Sequence, residues 1–275
     1  MHLHALYAAH HKEENLAMDP VGWLDRSLDV RDLELWSILL QGISYGRVEQ
    51  IRVSYRALLQ RFESLGLAPN GAGLYTWLAA NDPTAAEVTK ELRGWKHRLN
   101  VHGDIQQVLT VLRTQVCVPN RSIATWFASL EGDGFEERVM RFCSSFEVAP
   151  KARRSRGWGG TGASWFAPTP ARGGTAKRLM MWLRWMLRED GVDLGLWRTL
   201  LPETSGITQA DLLIPVDTHI FRFAREWKLV SHKNPTWASV KSITAALKAV
   251  DPLDPIRFDF AICHAGKLAA RQKEL

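Results

Sequence analysis

The chain reads as an all-α protein. Segment after segment returns apolar residues at helical spacing, and no stretch alternates apolar with polar residues as a half-buried strand does. Neither an internal repeat nor a low-complexity tract interrupts that pattern, apart from one glycine-rich, basic stretch. The 275 residues, 46% of them hydrophobic, suffice for one large domain or two of ordinary size with a core that needs no covalent staple.

In order along the chain, the opening histidines His2, His4, His10 and His11 fit a solvated N-terminal helix better than a metal site. Asp19-Pro20 starts a short helix through Trp23 and Leu24. Asp32 begins a longer one, on which Leu35, Trp36, Leu39 and Leu40 make a first core face. Val48 to Phe62 resumes the helical pattern with Ile51, Tyr55, Leu58 and Leu59. Between the two lies Ser44-Tyr45-Gly46-Arg47, which is either a plain turn between helices or an exposed Tyr45 beside a phosphate-binding Arg47. Pro69-Asn70-Gly71 and Asp82-Pro83 break the next stretch, which ends in Arg93-Gly94-Trp95-Lys96-His97-Arg98. That basic, aromatic cluster suits a solvated loop or a nucleic-acid contact through Lys96 and Arg98. Helical spacing returns over 104–114, 121–130 and 135–146.

Residues 151–178 change character. Lys151, Arg153, Arg154, Arg156, Arg172, Lys177 and Arg178 occur with no acid, among glycines and the interleaved Trp158, Trp165 and Phe166. Positive charge on a glycine-rich backbone approaches phosphates closely and aromatic rings stack or wedge, so a DNA-contacting loop is favoured over a disordered linker. Thr175 is then expected to cap an apolar helix from Ala176 to about Leu187, with Leu179, Trp182, Leu183 and Met186 inward. In its first turn the helix dipole, Arg172 and Arg178 all disfavour an ammonium on Lys177. Such a setting makes a lysine nucleophilic, and an exposed lysine also tolerates it at small cost. After a connecting segment with a short helix near Leu194-Trp197, Leu213-Ile214-Pro215-Val216 leads to Asp217, an N-cap for a helix carrying Ile220, Phe221 and Ala224 inward. Helices starting at Pro235 and running Phe258 to Lys267 complete the chain.

Composition excludes several classes. Cys117, Cys143 and Cys263 lie far apart with no CxxC pair, so buried thiols in a reducing cytoplasm are expected, and no metal or iron–sulfur site is. No apolar run approaches a bilayer span, and the start lacks the pattern of a secretory signal. A cytoplasmic monomer is expected. The 35 basic against 29 acidic residues, a formal charge of +6, suit a polyanionic partner without requiring one. Twelve tryptophans against four tyrosines supply many flat faces, most of them destined for the core.

Several of these segments together resemble a family. Val216-Asp217-Thr218-His219-Ile220-Phe221-Arg222 resembles the segment that supplies the catalytic aspartate of helix-hairpin-helix DNA glycosylases of the endonuclease III type. Ile262-Cys263-His264-Ala265-Gly266-Lys267 resembles their closing helix, and Leu39-Leu40 through Tyr45 resembles the early helix and loop that fill the gap left by an extruded nucleotide. Nearly the whole chain further resembles a bacterial family of uncharacterised proteins through Ser44-Tyr45-Gly46-Arg47, Gly94-Trp95-Lys96-His97-Arg98, Ala176-Lys177-Arg178-Leu179 with Leu183-Arg184-Trp185-Met186, and Pro215-Val216-Asp217-Thr218-His219.

The resemblance implies a two-lobed helical fold with a cleft between the lobes, one from residues 30–190 and one from 1–29 with 205–275, residues 188–213 being an insertion. It implies excision of a damaged or modified base from double-stranded DNA, with Asp217 stabilising the oxocarbenium-like sugar. The hairpin signature of the superfamily is replaced here by Pro170-Ala171-Arg172-Gly173-Gly174-Thr175-Ala176-Lys177. One register puts Lys177 on the lysine of bifunctional enzymes, which form a Schiff base and cleave the strand; sliding by three residues leaves no lysine there. Tyr45 would fill the vacated stack. Gly46, Arg47, Arg172, Gly173, Gly174, Thr175 and Arg178 would hold DNA backbone, and Trp158, Trp165, Trp182 and His219 are candidates for the base pocket. No cofactor is expected, since the cysteine cluster of the iron–sulfur members is absent. The alternative is a nucleic-acid-binding or base-modifying protein, of the thymine hypermodification type, that keeps the fold without the excision.

Overall fold

The computed structural model describes residues 3–147 and 161–271, and nearly all of its regular structure is helical. Helix α1 (Leu3–His10) and two 3₁₀ turns, Glu13–Met18 and Pro20–Trp23, precede the central helix α2 (Val30–Ile43). Asp29 caps α2 by accepting the Arg31 N–H at 2.9 Å. Asp32, expected as its start, instead caps another helix: its two carboxylate oxygens accept the N–H groups of Gly73 and Tyr75, each at 2.7 Å, at the start of α4 (Leu74–Ala80). Every α2 residue from Asp32 to Ile43 is buried.

Helix α3 (Val48–Ser64) follows the Tyr45 corner, and α5 (Ala86–Leu92) leads into a hairpin that the sequence pattern does not announce. Strands β1 (Lys96–His97) and β2 (Asn100–Val101) pair antiparallel, too short to show alternation. The Gly94-Trp95-Lys96-His97-Arg98 cluster is therefore built in, not a free loop. The Trp95 indole N–H donates to the Ser54 carbonyl at 2.9 Å, and the His97 ring bonds Ser54 Oγ at 2.9 Å and the Tyr45 carbonyl at 3.1 Å. Helix α6 (His102–Leu112) passes into a π turn at Arg113–Cys117, and α7 (Ile123–Ser129) and α8 (Phe135–Ser144) close this part of the core. At the start of α6, Asp104 accepts N–H groups from Val101 at 2.9 Å, Thr161 at 3.2 Å and Gly162 at 2.6 Å, fixing the chain where it returns.

Helix α9 (Lys177–Leu187) is buried from Leu179 to Leu187 on all sides and lies against α2. Its N-cap is Ala176, not Thr175: Ala176 stands in the left-handed region (φ 47°) and no side chain caps the helix. After it, residues 188–213 are tied into the core. Arg188 bonds Asp190, Asp193 and Asp254, and Trp197, at the start of α10 (Trp197–Leu200), is buried with its indole N–H on Glu34 at 2.7 Å. The segment carries buried charge partners, so removing it would open the core. Helices α11 (Thr218–Glu226), α12 (Trp237–Lys248) and α13 (Asp259–Arg271) end the chain, with α13 packed against both α1 and α11. No helix among the described residues is long and apolar enough to cross a membrane.

Candidate active site

Asp217 is held by the helix it starts. Its Oδ1 accepts the N–H groups of His219 and Ile220, both at 2.9 Å, because the first turn of α11 has donors without intrahelical acceptors. That leaves Oδ2 pointing elsewhere, and two groups meet it: the Lys177 ammonium nitrogen at 3.9 Å and the Cys263 thiol, which donates at 3.4 Å. Lys177 is the first residue of α9, about a third exposed (36%), and Asp217 is less so (16%). Two helix N-termini from distant parts of the sequence thus aim an acid and a base at one point.

That point lies on a cavity of about 790 Å³, which also takes in Tyr45, Trp165, His219 and, deeper, Arg184 and Asp259. Arg184 bonds Asp259 through Nη1 and Asp193 through Nε (3.1 Å), with less than a twentieth of its side chain exposed. Burial pushes the Asp259 carboxyl up to about 6, against the pull of Arg184 and helped by the charge of Asp217. Gly266 lets α13 approach α11 here: a Cβ on it would fall 2.8 Å from the His219 Cβ. His264, one turn along from Phe260, meets His10 of α1 with the two Nδ1 atoms 3.3 Å apart, while His11 pairs with Asp190 at 2.9 Å.

The remaining expected residues divide into four groups. Arg47, Lys96 and Arg98 come together: with Gln50 they line a separate depression of about 460 Å³ that contains no acid. Gly46 is part of that arrangement, since a Cβ there would lie 2.7 Å from the Arg98 guanidinium. Arg172, Gly173 and Gly174 form an exposed turn before α9; Arg172 pairs with Glu147 at 3.1 Å, and the Gly173 carbonyl accepts the Trp237 N–H at 3.0 Å. Thr175 is half-buried beside them.

Other residues serve the fold. Tyr45 is half-buried, not exposed: its hydroxyl bonds Asn100 at 2.8 Å and accepts the Leu99 N–H at 3.2 Å, with the Trp165 ring 5.3 Å away. Arg178 donates to the carbonyls of Gly42 (2.6 Å) and Trp165 (2.9 Å) and lies over the Trp165 ring, so it ties corner to loop; burial pushes its guanidinium down to about 10. Trp182 is fully buried and donates to Ser37 Oγ at 2.7 Å, which removes it from any base pocket. Arg153, Arg154, Arg156 and Trp158 lie outside the described residues. Sequence reasoning assigned Arg184, Asp259 and Cys263 no role in a site, although the last two sit on one face of α13, four residues apart.

The model of one protein family, described as a protein of unknown function (DUF2400), matches residues 19–268 and so takes in all of the cavity lining except Asn15 and Met18. The chain belongs to that family. Neither the curated proteins nor the solved structures compared with it contain a match. Membership groups Asp217, Lys177, Arg184 and Asp259 within one family unit but brings no activity with it, so the chemistry has to be argued from the side chains.

Proposed function

We propose that the protein is a DNA glycosylase with an associated lyase step, on a two-lobed helix-hairpin-helix glycosylase fold. The observation that carries this reading is the meeting of Lys177 and Asp217, 3.9 Å apart on the wall of a cavity large enough for a base and its sugar. It also favours the register in which Lys177 takes the place of the lysine of bifunctional enzymes.

Cleavage of an N-glycosidic bond builds positive charge on the deoxyribose, and a fixed carboxylate beside C1′ stabilises it. Asp217 offers Oδ2 for that task while Oδ1 stays with the helix. The Lys177 ammonium gives one proton to the departing base, which leaves with the electron pair of the broken bond, and the amine lone pair so freed bonds C1′ while the Asp217 carboxylate stays beside it. The attached nitrogen then passes one of its two protons to O4′ as the C1′–O4′ bond breaks, leaving a protonated Schiff base, from which β-elimination breaks the strand. The base reaches the cavity by leaving its stack, at a cost of a few kcal/mol that is least for damaged or mispaired bases. The depression formed by Arg47, Lys96 and Arg98 has the charge to hold backbone phosphates.

Borohydride added to the protein and abasic-site DNA should trap a covalent adduct that Lys177→Ala does not form. An adduct that persists in Lys177→Ala removes Lys177 from the chemistry. Across a panel of oxidised, deaminated, alkylated and hypermodified bases, Asp217→Asn should abolish excision while DNA affinity remains. Excision that survives Asp217→Asn overturns the assignment, and DNA binding without excision of any base in the wild type favours the base-modifying alternative.

A further inference from the structure

The deep wall of the cavity holds hydrogen-bonding groups that Asp217 and Lys177 do not use. Arg184 is only 3% exposed, and with Nε on Asp193 and Nη1 on Asp259 it keeps a buried Nη2 with no hydrogen-bond partner among the described residues. Trp165, on the same cavity, likewise has a buried indole N–H without a partner. Orphaned donors of this kind are costly, and an acceptor that reaches a charged one gains more than it would from a neutral group. Arg184 takes Oδ2 of Asp259, so the companion Oδ1 is a carboxylate acceptor next to a guanidinium donor. The Phe260 ring, 5.8 Å from the Arg184 guanidinium carbon and also on the cavity, adds an apolar flat face.

We infer that Arg184 and Asp259 select, among flipped bases, those with a ring carbonyl beside a ring N–H, the carbonyl accepting from Arg184 Nη2 and the N–H donating to Asp259 Oδ1. The inference rests on the proposed function for bringing a base into the cavity. With the sugar held at Asp217, the order of groups along the base edge is fixed. Uracil, thymine, guanine and hypoxanthine present the fitting order. Cytosine and adenine present an amino group where the carbonyl belongs, and would set donor against donor at Arg184. A methyl on the ring nitrogen removes the donor that Asp259 requires.

The test reads binding apart from cleavage, with duplexes carrying one uncleavable 2′-fluoroarabino nucleotide. Uracil at that position should be bound about tenfold or more tighter than 3-methyluracil or cytosine, the worth of one hydrogen bond to a charged partner. Asp259→Asn should shrink that preference, with the thermal unfolding transition checking that the variant is folded. Arg184→Lys, which keeps the charge and loses the fork, should do the same. Equal affinity for the uracil and 3-methyluracil duplexes in the wild type overturns the inference, whether or not the variants fold. So does an unchanged preference in a folded Asp259→Asn. Failure to bind any duplex overturns the proposed function itself, whereas preferential binding of uracil without excision of the cleavable base overturns only its chemical step.

Discussion

The two oxygens of Asp217 have separate employments, and substitutions can separate them. Asparagine is as good an N-cap as aspartate, so Asp217→Asn should keep the start of α11, with stability within about 0.5 kcal/mol of the wild type. Asp217→Ala loses both helix bonds and should unfold about 1 kcal/mol more easily in urea. Loss of excision in both variants, with loss of stability only in the alanine, is the pattern expected of a carboxylate that caps and catalyses. Ala176, one residue before Lys177, holds a left-handed backbone that costs a residue with a Cβ about 1 kcal/mol. Ala176→Gly should therefore raise the midpoint of thermal unfolding slightly, provided the freer unfolded chain does not cancel the gain. A lowered midpoint would show that the Ala176 methyl, buried at the cavity wall, contributes more by packing than its backbone costs.

Among the elements, the Tyr45 corner and the β1–β2 hairpin form one unit. His97 ties the hairpin to α3, Tyr45 ties the corner to the hairpin, and the three cations Arg47, Lys96 and Arg98 are left facing outward together. Their substitution by alanine should weaken DNA binding alike for every sequence and reduce the salt dependence of log K by about 1 for each phosphate that is no longer neutralised. A salt slope equal to that of the wild type would place the DNA backbone elsewhere on the surface. Arg178 belongs to the same unit as a tie, so Arg178→Ala should be read first as a loss of stability, because two carbonyls lose their donor.

For the molecule as a whole, buried charge decides much of the stability. Glu34 accepts N–H groups from Ile123 (3.0 Å) and Ala124 (2.8 Å) as well as from Trp197, and it lies wholly inside the core. Burial outweighs those donors and pushes its carboxyl up to about 7 from an ordinary 4.5. The folded state then holds a proton that the unfolded state has lost between pH 4.5 and 7, so this group makes the protein less stable as pH rises through that window. Urea unfolding at pH 5 and pH 7.5 should show the stability of wild type falling relative to Glu34→Gln by about 2.4 kcal/mol, whatever the other titrating groups contribute to both. A constant difference would mean that the three donors keep Glu34 ionised throughout. The ion network of Arg184 and Arg188 with Asp193, Asp254 and Asp259 ties α9 to the chain after it and to the start of α13. Arg188→Met should destabilise by about 3–5 kcal/mol, because Asp254 stays buried without its cation while Asp190 and Asp193 each lose one of two.

The sequence by itself determined the helices, since their cores are written at intervals of three and four residues, and it determined Asp217 as a cap, since capping is a matter of neighbours two and three residues away. It also singled out Lys177 and the basic residues around the Tyr45 corner, whose charge and composition are local facts. Only the tertiary structure decided which of those residues meet. Asp32 caps a helix 41 residues on, the start of α9 falls on a left-handed alanine, the hairpin is clamped to α3, and Trp182 and Arg178 are taken up in packing. Arg184 and Asp259 lie 75 residues apart. Their partnership depends on how α9 and α13 pack, and no spacing along the chain records a contact between helices.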